Sequence, residues 1–273
     1  MAARPKRYSR KSKTPKRVVR ILNCEPSVNP ETDWTIENAT DAGVLAAAPI
    51  PTSKDLREVW WKIGDQGFTG SCVGWATADA VLRWHFVKAG RLGKDEPLST
   101  RFIWMASKES DEFVDRPTTF IEKDGTSLKA ALDIARKYGA VRDAILPFAS
   151  GKLYPGEANT FYALAAQLKI ASYFNLGRSL TEWRKWIANN GPIVTRLTVD
   201  STWHAAKATN GQLDEYKVAT AQGGHAVALV GYTPDRFIVR NSWGTTLWGK
   251  EGFGFASLAY AQAAFTEAYG VSV

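Results

Sequence analysis

The chain is poor in cysteine: Cys24 and Cys72 are the only two among its 273 residues. Two cysteines cannot form the network of disulfides that stabilises many small secreted domains. One lies in a polar N-terminal stretch and the other in a turn rich in glycine and serine, so we do not expect them to pair. The low cysteine content favours a reducing compartment, or one in which disulfides are not needed.

Long apolar runs are also missing. No run reaches the ~18 residues that a membrane-spanning helix needs. The longest alanine-rich stretch, residues 44–48, is too short and too close to Asp41 to form the core of a secretory signal peptide. We therefore expect a cytoplasmic protein, while export without such a signal stays open. With 45% hydrophobic residues and 11 tryptophans, the chain can build a substantial core as one domain or two closely packed halves.

Acidic residues are absent from residues 1–20, which hold nine of the 35 lysines and arginines. The rest of the chain has 26 basic and 27 acidic residues, so the overall charge of +8 belongs to this stretch. It lacks aliphatic periodicity over most of its length, which predicts a basic disordered tail. Either the tail only solubilises the chain, or it binds a polyanion such as nucleic acid or an anionic surface through its charge.

Hydrophobic periodicity divides the remaining residues. Four prolines interrupt residues 21–52 and predict an extended lead-in. Apolar residues at helical spacing predict helices at residues 72–88, 99–107, 127–138, 162–168 and 180–189. Runs rich in valine, leucine and aromatic residues predict strands at residues 192–199, 225–232, 237–239 and 253–258. The sequence therefore predicts an α+β domain over residues 53–273, with a helical lobe at about 53–150 and a β-rich lobe at about 151–273.

Cys72 stands where a turn becomes a helix. A thiol attacks carbonyl groups as the thiolate, and the free N–H groups of a helix's first turn favour that anion. The preceding residues 67–71 are rich in glycine and serine, so a substrate backbone can approach the sulfur closely. A cysteine at a helix start is more often buried and inert, and this position alone does not identify a nucleophile.

His225 follows two glycines and opens an apolar strand. A predicted hairpin turn at residues 233–236 brings Asn241 to within about two residues of His225 on the paired strand. An amide in that place can hold the imidazole in one tautomer, as the third member of a catalytic triad does. The alternative is a structural histidine–asparagine pair that bridges two strands.

Three separated stretches together resemble the papain-like cysteine peptidases. They are Gln66-Gly67 with Gly70-Ser71-Cys72, then Gly224-His225-Ala226, then Asn241-Ser242-Trp243-Gly244. The order Gln, Cys, His, Asn matches the family, as do the gap of 6 residues from Gln66 to Cys72 and the gap of 16 from His225 to Asn241. The resemblance is closest to the bacterial, disulfide-poor branch and extends over about residues 52–258.

The resemblance implies a two-lobed fold, with a helical lobe, a β-barrel-like lobe and the active site in the cleft between them. It implies that Cys72 is the nucleophile, that His225 acts as base and acid, and that Asn241 orients the histidine. It implies that Gln66 donates a hydrogen bond to an oxyanion. The residues expected to bind substrate are Gly125, Thr126, Gly224 and Trp243. No cofactor and no metal are expected.

Some positions depart from the family pattern and leave the substrate preference open. Thr126 replaces a second glycine, Val73 replaces a tryptophan, and Thr69 replaces a cysteine that often forms a disulfide. About 50 residues precede the domain, so we do not expect the family's long helical pro-segment.

The leading prediction of function is hydrolysis of peptide bonds in a protein or peptide substrate. One alternative is an acyl transferase or deamidase that uses the same triad. The other is a catalytically silent binding module with a polyanion-binding tail.

Overall fold

A computed structural model of the chain describes residues 20–46, 48–110, 123–149 and 154–273. The predicted basic tail lies outside these residues, except for Arg20. The predicted extended lead-in contains a 3₁₀ turn, Pro30–Thr32, and a short helix, α1 (Ile36–Asp41). No helix in the described ranges is long and apolar enough to cross a membrane.

The central helix of the fold begins at Cys72, as the sequence predicts. It consists of α2 (Cys72–Gly74), a π-helical stretch (Trp75–Leu82) and α3 (Arg83–Lys88). Small residues let the helix lie inside the core, and residues 76–82 are all buried. Gly74 lies against the next helix, α4 (Thr100–Ser110), so closely that a Cβ atom would fall 2.4 Å from the Thr100 carbonyl oxygen. A glycine is therefore required at this helix crossing.

The remaining helices in the described part of the chain each bury at least one residue in the core. They are α5 (Leu128–Lys137), α6 (Ala158–Ala166), α7 (Leu180–Asn189), α8 (Ser201–Ala205) and α9 (Leu258–Ala264). The helix predicted at residues 162–168 starts four residues earlier, because Phe161 and Ala165 form its buried face. Ser127 caps α5 by accepting a hydrogen bond from the Ala130 N–H at 3.2 Å.

The second half of the chain forms most of one mixed sheet. Its strands are β1 (Lys54–Asp55), β2 (Ser172–Asn175), β3 (Ile193–Thr198), β4 (Gln212–Leu213), β5 (Gly224–Tyr232), β6 (Arg236–Arg240), β7 (Phe253–Ser257) and β8 (Phe265–Ser272). The order is β2-β8-β3-β5-β6-β7-β4, with β1 paired to β5. Only β4 and β7 pair in parallel among these strands. The predicted barrel-like lobe is thus an open mixed sheet over the described residues.

A buried ion pair holds the central helix against β6. The Asp79 carboxylate lies 2.7 Å from one Arg240 guanidinium nitrogen and 3.3 Å from Arg83. The indole of Trp61 packs under Arg240, with 4.8 Å between the guanidinium carbon and the ring centroid. Because Arg240 immediately precedes Asn241, this contact sets the position of the strand end relative to the helix that carries Cys72.

Candidate active site

The Cys72 side chain is fully buried at the start of the central helix. The Ala226 backbone N–H and the His225 imidazole lie near its sulfur and interact with it. The helix that carries Cys72 and the strand that carries His225 therefore meet at these two side chains. The sequence placed both residues in one site, and the structure brings them together.

Asn241 holds the other side of the imidazole. Its Oδ1 atom lies 2.8 Å from His225 Nε2 and accepts a second hydrogen bond, also 2.8 Å, from the Ser242 backbone N–H. A backbone N–H can only donate, so the atom that it faces is the amide oxygen, and Nε2 of the histidine carries the proton. The Nδ1 atom is then the unprotonated ring nitrogen left to exchange a proton with the Cys72 sulfur.

The strand register explains this meeting. In the β5–β6 hairpin Ala228 pairs with Arg240, which places Asn241 one step beyond the pair and within two residues of His225 along the partner strand. The turn between the strands is closed by a 2.8 Å hydrogen bond from Thr233 N–H to the Arg236 carbonyl oxygen. The structure contains the predicted hairpin, and this hairpin brings the two side chains together.

Tryptophans bury the histidine–asparagine hydrogen bond. The Trp243 ring lies 4.9 Å from the imidazole centroid and the Trp203 ring lies 5.6 Å from it. Trp248 packs against Trp203 in a tilted arrangement, with 4.3 Å between the ring centroids. Excluding water strengthens an electrostatic hydrogen bond, so this aromatic cage stabilises the orientation of His225.

Trp203 is a part of the site that the sequence motifs do not predict. It lies on the short helix α8, whose N-terminal cap is Asp200. The Asp200 carboxylate accepts hydrogen bonds from the Trp203 N–H at 3.0 Å, the Lys217 N–H at 2.7 Å and the Tyr260 hydroxyl at 2.8 Å. The aspartate three residues before the tryptophan was the available signal, since it marks a helix start.

Gln66 is anchored beside the same hairpin. Its Oε1 atom accepts a 2.8 Å hydrogen bond from the Ser242 hydroxyl, and its backbone N–H donates to the Ser242 carbonyl at 2.9 Å. Its amide nitrogen donates to the Thr69 carbonyl at 3.0 Å, which uses one of two amide hydrogens. Gln66 is therefore fixed to the residue after Asn241, in the turn that leads to Cys72.

The environment of Cys72 favours its thiolate. The neighbouring Cys24 side chain, the His225 imidazole and the Ala226 N–H together hold the pKa of Cys72 well below the ordinary thiol range. Burial opposes this shift but does not cancel it. A low-pKa thiol beside an imidazole is the arrangement that makes a cysteine nucleophilic at neutral pH.

Residues 20–28, which we call the strap, lie across this site. The Cys24 N–H donates to the Gly224 carbonyl at 3.0 Å, and the Glu25 N–H donates to the Thr126 carbonyl at 3.1 Å. At Gly125 a Cβ atom would fall only 1.7 Å from the carbonyl oxygen of Asn23. The backbones of Gly125, Thr126 and Gly224 therefore form the walls of a groove that the strap fills.

Both ends of the strap are fastened. Arg20 lies over the Trp243 ring at 5.7 Å and pairs with Asp65 at 2.7 Å. At the other end the Ser27 N–H donates to the Glu267 carboxylate at 3.1 Å. Arg20 thus belongs to the folded part of the chain, whereas the sequence predicts it as the last residue of the basic tail. All four residues predicted to bind substrate lie next to the strap.

Comparison with known proteins agrees with this architecture. The sequence profile of the papain family cysteine proteases matches residues 50–265. The chain is 28% identical over 232 residues to cathepsin B-like CP3 of Giardia intestinalis, covering 79% of this chain and 72% of that protein. It is 25% identical over 224 residues to cathepsin B-like CP2 of the same organism, covering 75% and 68%. The chain belongs to the papain family of cysteine proteases, and its enzyme class is that of a cysteine-type peptidase.

Solved structures share the fold. Xylellain, a cysteine protease from Xylella fastidiosa, superposes with a TM-score of 0.77 at 18% identity, covering 96% of this chain and 99% of that one. The procathepsin B S9 of Trypanosoma congolense gives a TM-score of 0.65 at 15% identity, covering 92% and 86%. The predicted family resemblance and the predicted papain-like α+β fold are confirmed.

Proposed function

We propose that the protein hydrolyses peptide bonds through an acyl-enzyme on Cys72, with His225 as base and acid and Asn241 as its orienting partner. The observation that carries this proposal is the chain of contacts from the Cys72 sulfur to the imidazole and from Nε2 to the Asn241 oxygen at 2.8 Å. This order of groups supports the transfer of a proton from the thiol and its later return to a leaving amine.

The reaction begins when the Cys72 proton passes to His225 Nδ1. The thiolate attacks the substrate carbonyl carbon, and the carbonyl oxygen becomes an oxyanion. We expect the free amide hydrogen of Gln66 and the Cys72 backbone N–H to donate to that oxyanion, and such a donor is typically worth about 3–4 kcal/mol of barrier. His225 then protonates the leaving amine, the carbon–nitrogen bond breaks, and the acyl group stays on sulfur.

Water completes the cycle. His225 removes a proton from a water molecule, whose oxygen attacks the thioester carbonyl carbon. The second tetrahedral intermediate expels the Cys72 sulfur, which recovers its proton from the histidine. The product is a new carboxyl end, and the enzyme returns to its starting protonation state.

The groove that the strap fills supports an extended peptide as substrate. Main-chain acceptors at Gly224 and Thr126 bind the N–H groups of an extended segment without reading its side chains. A substrate backbone that takes these hydrogen bonds must replace the strap. Peptide hydrolysis therefore requires the strap to leave the groove at least transiently.

Two rival functions use the same residues. With an amine in place of water the acyl-enzyme gives acyl transfer, and attack on a glutamine or asparagine side chain gives deamidation. A binding module would keep the groove without chemistry. The buried histidine–asparagine bond and the lowered pKa of Cys72 favour an enzyme over a binding module, because binding alone requires neither.

The test compares the wild type with Cys72→Ala on unfolded casein and a peptide panel between about pH 5 and 8 under reducing conditions. Mass spectrometry of the products separates the reactions. Hydrolysis gives two fragments that together gain one water, acyl transfer joins a fragment to an added amine, and deamidation leaves the chain uncut. We expect fragments with the wild type and none with Cys72→Ala.

Labelling by a peptide-like electrophile checks the nucleophile independently. The matched control is Cys24→Ser, which leaves Cys72 as the single cysteine, so any label must be on it. Absence of hydrolysis by the reduced wild type, together with no labelling of Cys24→Ser, would refute the proposed peptidase and leave the binding module.

A further inference from the structure

The strap places a second thiol at the reactive sulfur. Cys24 is buried, with only 2% of its surface exposed, its backbone is docked on Gly224 next to His225, and its side chain interacts with that of Cys72. These are the two cysteines of the chain, and they lie 48 positions apart in the sequence. The fold has therefore brought together two residues that the sequence analysis did not expect to meet.

The backbone of Cys24 is held from both directions. Its N–H donates to the Gly224 carbonyl at 3.0 Å, and its carbonyl oxygen accepts from Arg196 Nε at 2.9 Å. Arg196 is itself held by a 2.9 Å hydrogen bond to the Thr266 hydroxyl. A Cβ atom at Gly224 would fall 2.2 Å from the Cys24 carbonyl oxygen, so the approach of the two backbones requires a glycine.

The strap is not bound as a substrate is. A substrate must present a carbonyl carbon to the Cys72 sulfur, with the carbonyl oxygen toward the oxyanion donors. The Cys24 carbonyl instead accepts from Arg196, and the Gln66 amide donates to Thr69. The group that the strap presents to the sulfur is a thiol.

We propose that Cys24 and Cys72 form a reversible disulfide that locks the strap in the groove, so that oxidation holds the peptidase latent and reduction releases it. The proposal rests on the proposed function for the consequence of the lock, since it takes Cys72 to be the nucleophile. The formation of the bond itself depends only on the two thiols.

The oxidant we specify is a low-molecular-weight disulfide such as glutathione disulfide. When the strap opens, the Cys72 thiolate attacks one sulfur of the oxidant, a mixed disulfide forms, and the departing thiolate takes the proton held on His225. When the strap closes, Cys24 gives its proton to His225 and attacks the Cys72 sulfur, and the second small thiolate leaves with that proton. Two protein thiols are oxidised, and one small disulfide is reduced to two thiols.

The two thiols suit these unequal roles. Burial and the Cys72 side chain raise the pKa of Cys24 well above the ordinary thiol range, whereas the pKa of Cys72 is lowered. Cys72 is thus the thiol that attacks the oxidant first, and Cys24 reacts only when the closed strap holds it against the mixed disulfide. A single S–S bond of about 2.05 Å then replaces the contact between the thiols.

The experiment uses the full chain, treated either with glutathione disulfide or with dithiothreitol. Remaining thiols are blocked, the protein is digested without reduction, and mass spectrometry searches for a peptide pair joined through Cys24 and Cys72. We expect the joined pair only after oxidation, with peptide hydrolysis reduced to the level of Cys72→Ala and restored by dithiothreitol.

The matched control is Cys24→Ser, which keeps a side chain of similar size. We expect this variant to give no joined pair and to carry only a glutathione adduct on Cys72 after oxidation. In the reduced state its rate of peptide hydrolysis serves as its own reference, because Cys24 also helps to lower the pKa of Cys72. An alanine at position 24, Cys24→Ala, repeats the test without a hydroxyl that could donate to the Cys72 sulfur.

The outcomes separate this inference from the proposed function. Glutathione adducts without any joined pair in the oxidised wild type would overturn the disulfide lock, whatever the activity. A joined pair in a protein that hydrolyses nothing when reduced would support the lock and overturn the peptidase. A joined pair in oxidised protein that keeps full activity would overturn both the lock and the role of Cys72, because a sulfur held in the disulfide cannot act as the nucleophile.

Discussion

The Oδ1 atom of Asn241 accepts a 2.8 Å hydrogen bond from the proton-bearing Nε2 of His225, and the Ser242 N–H donates a second hydrogen bond to the same oxygen. The asparagine is thus fixed before it orients the histidine. Replacing Asn241 with alanine removes the acceptor and frees the imidazole to adopt the wrong tautomer. We expect Asn241→Ala to lower kcat/KM for peptide hydrolysis by about 100-fold, within the range that a positioned base contributes.

The control for Asn241→Ala is Asn189→Ala. The Asn189 side chain donates to the Lys185 carbonyl at 2.8 Å and contacts none of the site residues. It should leave kcat/KM unchanged. Equal activity of Asn241→Ala and wild type across the pH range would show that the histidine–asparagine pair is structural, which is the alternative that the sequence left open.

Substitution of Gln66 tests the stabilisation of the oxyanion separately from the reactivity of the Cys72 thiol. If its amide donates to the oxyanion, Gln66→Ala lowers kcat for peptide hydrolysis by about 10²–10³-fold. Alkylation of Cys72 by iodoacetamide forms no oxyanion, so its rate should stay within a few-fold of wild type. A parallel loss of both rates would mean that Gln66 acts by holding Ser242 and the hairpin, and not by donating to the reacting oxygen.

The sequence predicted the part of the site that is local to one hairpin and one helix start. The positions of His225 and Asn241 follow from a short turn, and the position of Cys72 follows from helix periodicity, so spacing along the chain was enough. Cys24 was missed because its place depends on a long-range docking of the strap, and a polar segment with prolines has no periodicity that indicates where it packs.

The sequence did not predict the strands β2 and β8 for a similar reason. The four-residue strand β2 is too short to show alternation, and β8 follows directly on the alanine-rich helix α9. Both strands pair with each other at the sheet's end, through Ser172–Ser272 and the pairs beyond it. Pairing between segments about 100 residues apart gives no local pattern, so the sequence predicted only the central strands.

Arg20 controls how firmly the strap covers the groove. Its guanidinium pairs with Asp65 at 2.7 Å and lies over the Trp243 ring, but the Asp65 side chain is 46% exposed, so solvent screens the pair. We expect Arg20→Ala to weaken strap closure by about 1 kcal/mol, or roughly fivefold. The measurement is the rate at which iodoacetamide alkylates Cys72 in the reduced protein.

A salt series strengthens the Arg20 test. Raising the ionic strength should speed alkylation of the wild type more than that of Arg20→Ala, because only the wild type loses an ion pair. Arg236→Ala is the matched control, since its ion pair with Asp214 at 2.6 Å does not involve the strap. A strap that is not held by Arg20 would give equal alkylation rates in all three proteins.

The binding of polyanions by residues 1–19 can be tested separately from catalysis. This segment has eight basic residues and no acidic one, and we propose that it binds polyanions by charge alone. A variant with those eight residues changed to glutamine should lose salt-dependent binding to a labelled oligonucleotide or to anionic vesicles. Peptide hydrolysis should be unchanged. Binding that persists in this variant would assign the polyanion site to the folded domain.

His85 makes the stability of the fold depend on pH. Burial lowers the pKa of this histidine from 6.5 to about 4, although its hydrogen bond to the Pro192 carbonyl opposes the shift. Below about pH 6.5 the unfolded chain takes up a proton at this residue that the folded chain does not bind until about pH 4. The unfolded state is therefore favoured as the pH falls through this window, by at most about 3 kcal/mol at its lower end.

The measurement for His85 is the free energy of unfolding by urea at a series of pH values from neutral to about 5, where most carboxylates are still ionised. The wild type should lose stability steadily over this range, and His85→Gln, which cannot titrate, should lose less. The comparison uses the slope with pH, because the substitution also changes the packing around Trp84 and shifts stability at every pH. Parallel slopes for the two proteins would show that His85 takes up its proton at the same pH in the folded and unfolded states, which would require a charged imidazole to be tolerated where the structure offers its buried Nε2 atom no partner among the described residues.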